Sequence, residues 1–195
     1  MIVEECNKEC IDDVGEILER SLSWFHAYYA SVCIEQGICR ALVCRDKDII
    51  AGVGVFYAVE TKPTSIGVIY YVAVEKNFRG HGIGKAIVAS MEELMEIDGV
   101  EFYIASTRSD NIASRRMLEE LNYSCILLED LDNDFREIVE ALACAYEDDV
   151  LYIKSVKGNV EQFKSVLLDE ANRRKIRKLW STLCHGPWLM LRRRV

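Results

Sequence analysis

The densest chemistry in the chain lies between Tyr70 and Lys85, where Arg79-Gly80-His81-Gly82-Ile83-Gly84-Lys85 follows a run of apolar and aromatic residues. Glycine has no β-carbon, so a bulky group can approach the backbone closely at Gly80, Gly82 and Gly84. Beyond Lys85, apolar residues recur at Ile87, Val88, Met91, Leu94 and Met95, one face of a helix. A glycine-rich loop that opens a helix offers unpaired N–H groups and the positive end of the helix dipole. It therefore suits an anion of pyrophosphate size. Arg79 and Lys85 add positive charge, and His81 is expected to point to solvent. A Walker A loop would need glycine where Arg79 stands. A dinucleotide fingerprint would need glycine where Lys85 stands.

A second group lies in residues 22–38, which carry Trp24, Phe25, His26, Tyr28 and Tyr29. An imidazole with a pKa of about 6.5, such as that of His26, could act as base if it faces a pocket. The same aromatics would serve equally well as the core of a helix.

The elements that must position these groups follow from periodicity. Ile2-Val3-Glu4 reads as a strand. Asn7 is a candidate cap for a helix carrying Ile11, Val14, Ile17 and Leu18. Segments 40–44, 49–59 and 65–74 read as strands joined by short polar turns, hence an antiparallel meander. After the glycine loop come a helix to Ile97, a strand over 101–107 and a helix from Asp110 or Asn111. Asn122 stands where a helix commonly ends left-handed. A strand over 123–128 follows, then a helix marked by Phe135, Ile138, Val139, Leu142 and Tyr146, and a last strand over 150–156. This order requires at least one right-handed parallel crossover. The tail is expected to be helical from about Val160 to Leu183.

Of the 195 residues half are hydrophobic, enough for a sizeable core. No apolar run approaches the ~18 residues of a membrane span, and the acidic start lacks the features of a signal peptide. A cytoplasmic protein is expected. The eight cysteines match no common zinc spacing, so no metal site is expected, and most lie among Ile, Leu and Val as buried free thiols would. Net charge is −8, but residues 171–195 hold eight Lys or Arg and no acid, leaving 16 basic against 32 acidic groups in the first 170. Two readings of this tail stay open: a helix packed on the acidic body or on a second subunit, and a docking element for RNA, the ribosome or an acidic partner. The apolar residues among its charges favour the packed helix over nucleic-acid binding.

Arg79-x-x-Gly82-x-Gly84, set between strand and helix, resembles motif A of the GNAT superfamily of N-acetyltransferases. Asn111-Ile112-Ala113-Ser114-Arg115-Arg116-Met117-Leu118 through Asn122-Tyr123 resembles its motif B. The resemblance implies an α/β fold with a mixed central sheet, antiparallel in its first strands and with a parallel crossover after the pyrophosphate loop. Residues 1–156 would form this domain and 157–195 a basic helical extension. It further implies acetyl-CoA as cofactor, with Arg79, Gly80, His81, Gly82, Ile83, Gly84 and Lys85 around the pyrophosphate. Val72, Ala73 and Val74 would line one side of the pantetheine arm through their backbone, and Asn111 and Ser114 would flank the other.

Acetyl transfer to an ammonium needs a proton acceptor, an oxyanion donor and a proton for the leaving thiolate. The family often supplies the acid as a tyrosine in motif B, where this chain has Leu118. Positions that often hold a base are Val68 and Tyr70 on the strand before the loop and Ser106 on the next strand. Tyr70 and Ser106 are therefore the candidates for proton transfer, with Tyr71 on the opposite face in the core. The resemblance also implies an acceptor pocket formed by residues 22–38, with His26, Tyr28 and Tyr29 as candidates to grip the amine. The expected activity is acetyl transfer to a primary amine of a small molecule, a polyamine or a protein, and the acidic body would attract such cations. A non-catalytic acyl-CoA-binding module is the alternative that Leu118, Val68 and Ser106 suggest.

Overall fold

The computed structural model describes residues 1–6 and 10–192. Asn7 lies outside the described residues. Seven strands form one sheet in the order β1-β2-β3-β4-β5-β7-β6, mostly antiparallel with a parallel step from β4 to β5. The chain divides into two compact units, Met1–Tyr57 with Ile69–Met95 and Ala58–Val68 with Glu96–Val195.

The first unit holds β1 (Ile2–Glu5), α1 (Ile11–Ser21), α2 (Trp24–Glu35), β2 (Arg40–Asp46), most of β3 (Ile49–Glu60), the latter part of β4 (Ser65–Val74) and most of α3 (Ile83–Ile97). Val14, Ile17 and Leu18 of α1 are buried, as their spacing requires. Within segment 22–38 the aromatics lie on α2, as the helix reading of them expects. Ser23 caps it by accepting the His26 N–H, and Ala27, Tyr29, Ala30 and Cys33 are buried. Strand β3 carries glycine at positions 52 and 54, where α3 packs. A β-carbon on Gly52 would stand 3.0 Å from the Ala73 carbonyl oxygen and from Ile83, and one on Gly54 would overlap Ile87 and Met91. The missing side chains let Ile83, Ile87 and Met91 bury fully against the strand.

The second unit holds β5 (Val100–Thr107), α4 (Ile112–Glu120), β6 (Ser124–Leu127), α5 (Asn133–Ala143), β7 (Val150–Ser155), α6 (Val160–Leu168), α7 (Glu170–Trp180) and α8 (Gly186–Arg192). Strand β7 lies between β5 and β6, antiparallel to both, with Ser106 opposite Leu151 and Ile126 opposite Leu151 from the other side. Asn122 is left-handed at φ 66°. Helix α5 ends earlier than its apolar pattern suggests. Cys144 is left-handed, and Tyr146 is 63% exposed beyond the end.

The tail is helical to Arg192, past the expected end at Leu183, and Asp169 divides it by capping α7. Between α7 and α8 a π-helical turn spans Ser181–His185. Pro187 explains it, since proline has no N–H to donate and its ring crowds the carbonyl four residues back. Gly186 donates to Ser181 O, and a β-carbon there would meet that oxygen at 2.9 Å. The wider turn stacks Trp180 on His185 at 5.0 Å, followed by Trp188 at 6.0 Å and Arg192 over Trp188. The packed face of the tail carries Asn172, Ile176, Leu183 and Cys184. Asn172 accepts the Lys62 N–H and donates to the carbonyls of Lys62 and Val166. Lys175 and Arg177 pair with Glu60 and Glu137.

The expectation of free thiols fails for six cysteines. Cys6–Cys10, Cys33–Cys39 and Cys144–Cys184 are joined as disulfides, and Cys44 and Cys125 are free. Close spacing along the chain, four and six residues for the first two pairs, brings the sulfurs together. For the third, the turn after α5 and the π-turn put the two Cα atoms 6.3 Å apart.

Candidate active site

The glycine loop begins where β4 ends. A 3-10 turn over Lys76–Phe78 follows, and Arg79 folds back to donate from Nε to the Val74 carbonyl at 2.9 Å. That bond holds the guanidinium stem against the end of β4. Gly80 and Gly82 both have φ 79°, the left-handed region that side chains resist, and nothing lies within 4 Å of where a β-carbon would stand on either. The backbone is thus open on those sides of the loop. The Gly82 carbonyl accepts the Ala86 N–H at 3.0 Å, which starts α3 and leaves the N–H groups of its first turn without intrahelical partners. His81 is exposed, with Nδ1 3.2 Å from the Phe78 carbonyl oxygen, and Lys85 is exposed beside it. Ile83 is buried and anchors the helix start. Val72 and Val74 are half-buried and Ala73 is buried. This arrangement can hold a diphosphate through backbone donors.

A row of rings runs from α2 to β3. The His26 ring meets Tyr71 edge-on at 5.3 Å, Tyr71 stacks on Tyr70 at 4.0 Å, and Tyr70 meets Tyr57 at 5.5 Å. Consecutive strand residues ordinarily face opposite ways. The stacked rings of Tyr70 and Tyr71 show that alternation breaks at this pair, so Tyr71 does not point away from Tyr70 as expected. Burial, reinforced by Tyr70, holds the phenols of Tyr57 and Tyr71 well above the ordinary tyrosine range. Both keep their protons at neutral pH and can donate hydrogen bonds. Tyr29 is also raised, by burial and then by Tyr28. His26 Nδ1 lies 2.7 Å from Ser23 Oγ. Tyr28 and Tyr29 pack edge to face at 5.5 Å, while Trp24 at the start of α2 is 59% exposed. Near the loop, a cleft of about 450 Å3 lies among α1, the β2–β3 turn and residues Glu75, Asn77 and Phe78. Arg20 spans part of it to reach Glu75 at 2.7 Å.

In the second unit, the Asn111 side chain is committed to starting α4. Its oxygen accepts the Ser114 N–H, and its amide donates to Thr107 Oγ1. Leu118 is 2% exposed and packs inward, with no group able to donate. A polar cluster that the sequence did not reveal lies between α4 and β7. The Tyr152 hydroxyl donates to Glu119 at 2.9 Å and accepts from Arg115 Nε at 3.2 Å. Burial, partly offset by the Arg115 contact, pushes the Tyr152 phenol up to about 12.

Ser106, half-buried near the end of β5, donates from Oγ to Asp148 Oδ2 at 2.5 Å. Ser109, three residues after Ser106, donates both its backbone N–H and its hydroxyl to Asp149. The Ser109 hydroxyl bond holds the Asp149 carboxyl below its usual range. Asp148 stands 42 residues from Ser106, and no local pattern links them.

The acetyltransferase (GNAT) family model matches residues 8–123. No curated protein sequence matches the chain significantly. Among solved structures, NAA60 of Arabidopsis thaliana in complex with acetyl-CoA superposes with a TM-score of 0.60 at 13% identity, covering 80% of this chain and 99% of that one. The ribosomal-protein-S18-alanine N-acetyltransferase of Escherichia coli gives 0.58 at 12%, covering 82% and 96%. An acetyltransferase of the GNAT family from Desulfovibrio desulfuricans gives 0.60 at 17%, covering 80% and 98%. At these identities the likeness is one of fold.

Proposed function

The chain belongs to the GNAT acetyltransferase family, and we propose that it moves an acetyl group from acetyl-CoA to a primary amine by direct attack. The observation that carries this reading is the loop at the head of α3. Gly80 and Gly82 take backbone angles that favour glycine, and the space beside each is open. Gly37 and Gly99 show the same features in single turns; what sets this loop apart is two such glycines two residues apart at the head of a helix. Arg79 through Lys85 would hold the diphosphate and Val72 to Val74 the pantetheine arm, with Asn111 and Ser114 near the start of α4. When bound, the cofactor supplies an activated acetyl group and a thiol leaving group.

This chain's own residues would select and prepare the acceptor. His26, Tyr28 and Tyr29 belong to an aromatic helix, and Tyr70 lies in a row of phenols suited to donating a hydrogen bond to a carbonyl oxygen as it gains charge. Of the similar folds, one is named for a ribosomal-protein alanine and one is solved with a Gag peptide and CoA. A peptide N-terminus accordingly ranks with polyamines and small amines in the acceptor panel.

The test is release of free thiol from acetyl-CoA with amines, polyamines and short peptides. In the control, Arg79→Ala with Gly82→Ala, a residue with a β-carbon is forced into the left-handed region at a cost of about 1–2 kcal/mol. Acetyl-CoA affinity should fall about tenfold or more, and turnover should go with it. A second reading, a binding module without turnover, is favoured by the buried hydrocarbon at Leu118. Calorimetric binding of acetyl-CoA with no acceptor turned over would decide for it.

A further inference from the structure

We propose that Arg20 is a positioning residue for acetyl-CoA, which acts by occupying the Glu75 carboxylate and so leaving Arg79 to the diphosphate. This rests on the acetyl-CoA reading of the glycine loop and adds to it a residue from outside the loop. Glu75 stands where β4 passes into that loop. Its N–H donates to the Ala51 carbonyl at 2.9 Å, and its carbonyl accepts the Phe78 N–H at 2.8 Å, so its backbone is fixed. Arg79 Nε is bonded to the carbonyl of Val74, the residue just before Glu75. A carboxylate this close along the chain is a ready partner for the guanidinium. It is also a poor neighbour for a bound diphosphate, which it repels.

The pairing in the structure avoids both effects. Arg20 Nη2 donates to Glu75 Oε1 at 2.7 Å, and among the described residues Arg79 pairs with no carboxylate. The Glu75 side chain is only 27% exposed, so water screens it incompletely and a cationic partner matters more there than on an open surface. Arg20 comes from the last turn of α1, whose buried Ile17 and Leu18 fix the helix. The cleft it spans is lined by the acids Asp13, Glu16, Asp48 and Glu75 and by two cations, Arg20 and Arg45. Arg45 is paired with Glu4, while Arg20 lies between Glu16 at 3.4 Å and Glu75. Without Arg20 the cleft beside an anion-binding loop would be strongly acidic. All of these groups lie in the first compact unit.

Binding of acetyl-CoA to the full chain is measured by calorimetry, which needs no turnover. Arg20→Ala should weaken binding about fivefold at low salt, the upper end for an exposed charge pair, and Arg20→Lys should stay within about twofold of wild type. Glu75→Gln should bind as tightly as wild type or more tightly, and adding it to Arg20→Ala should restore the affinity. The Arg20→Ala deficit should shrink at about 0.5 M salt, where the screening length falls to about 4 Å. Arg79→Ala should cost less in the Arg20→Ala background than in wild type, because Arg79 is then drawn onto Glu75. No loss in Arg20→Ala, or a loss that Glu75→Gln does not relieve, would overturn the role of Arg20 and leave the cofactor reading standing. A loss in Glu75→Gln equal to that in Arg20→Ala would do the same, since it would make the pair a mechanical clasp. Wild-type protein that does not bind acetyl-CoA would remove the cofactor reading and this proposal together.

Discussion

At Gly80 and Gly82 the sequence and the structure agree for a stated physical reason: both backbones are left-handed and both faces are open. Residue type was enough to find the loop, because few other demands require alternating glycines between a strand and a helix. Residue type was not enough for Ser106 and Asp148, whose meeting depends on β7 lying beside β5. Asn172 makes the same point for stability. It is buried, and three hydrogen bonds tie it to the backbone of Lys62 and Val166. Its replacement by alanine would take this partner from the buried Val166 carbonyl and from the part-buried Lys62 backbone. Asn172→Ala should cost about 2–3 kcal/mol, read from the midpoint of urea unfolding. An exposed asparagine replacement would cost a few tenths. In the sequence, Asn172 looks like one more polar residue in a basic tail.

Elements were more legible than contacts. The strands over 40–60 and 65–74 and the helices after them stand where their periodicities put them, since each has one face that must be buried. The errors occurred where tertiary contacts override the pattern. Apolar spacing carried α5 on to Tyr146, but the left-handed turn at Cys144 ends it sooner. The tail divides at Asp169 and widens at Pro187, neither of which its apolar residues signal. The β3–α3 contact belongs at this scale. Gly54→Ala would press a β-carbon on Ile87 and Met91, and the tip of Met91 can yield more readily than Ile87. Overpacking of this kind should cost about 1–3 kcal/mol in urea unfolding. Because α3 begins at the glycine loop, the same variant should also weaken acetyl-CoA binding.

Over the whole molecule, the tyrosines set the response to alkali. Tyr57, Tyr71 and Tyr152 all hold their protons above the ordinary phenol range, chiefly through burial. The unfolded chain releases these protons near pH 10 while the folded chain keeps them. The unfolded state then binds fewer protons, so stability falls as pH rises through about 10 toward 12. Urea midpoints measured between pH 8.5 and 11.5 should decline, and Tyr152→Phe should decline less steeply than wild type. An equal slope for the two would remove Tyr152 from this account. Charge was the whole-molecule property most legible in the sequence. The basic tail does pack a face inward, and two of its cations meet acids at Glu60 and Glu137.

The bond between Cys144 and Cys184 encloses β7, α6 and α7 in a covalent ring. A protease that cut once anywhere between those cysteines would nick the chain without dividing it. The segment bearing Trp188 and Arg192 would stay tethered to α5 until the bond was reduced, so a single band on a non-reducing gel does not establish an intact chain.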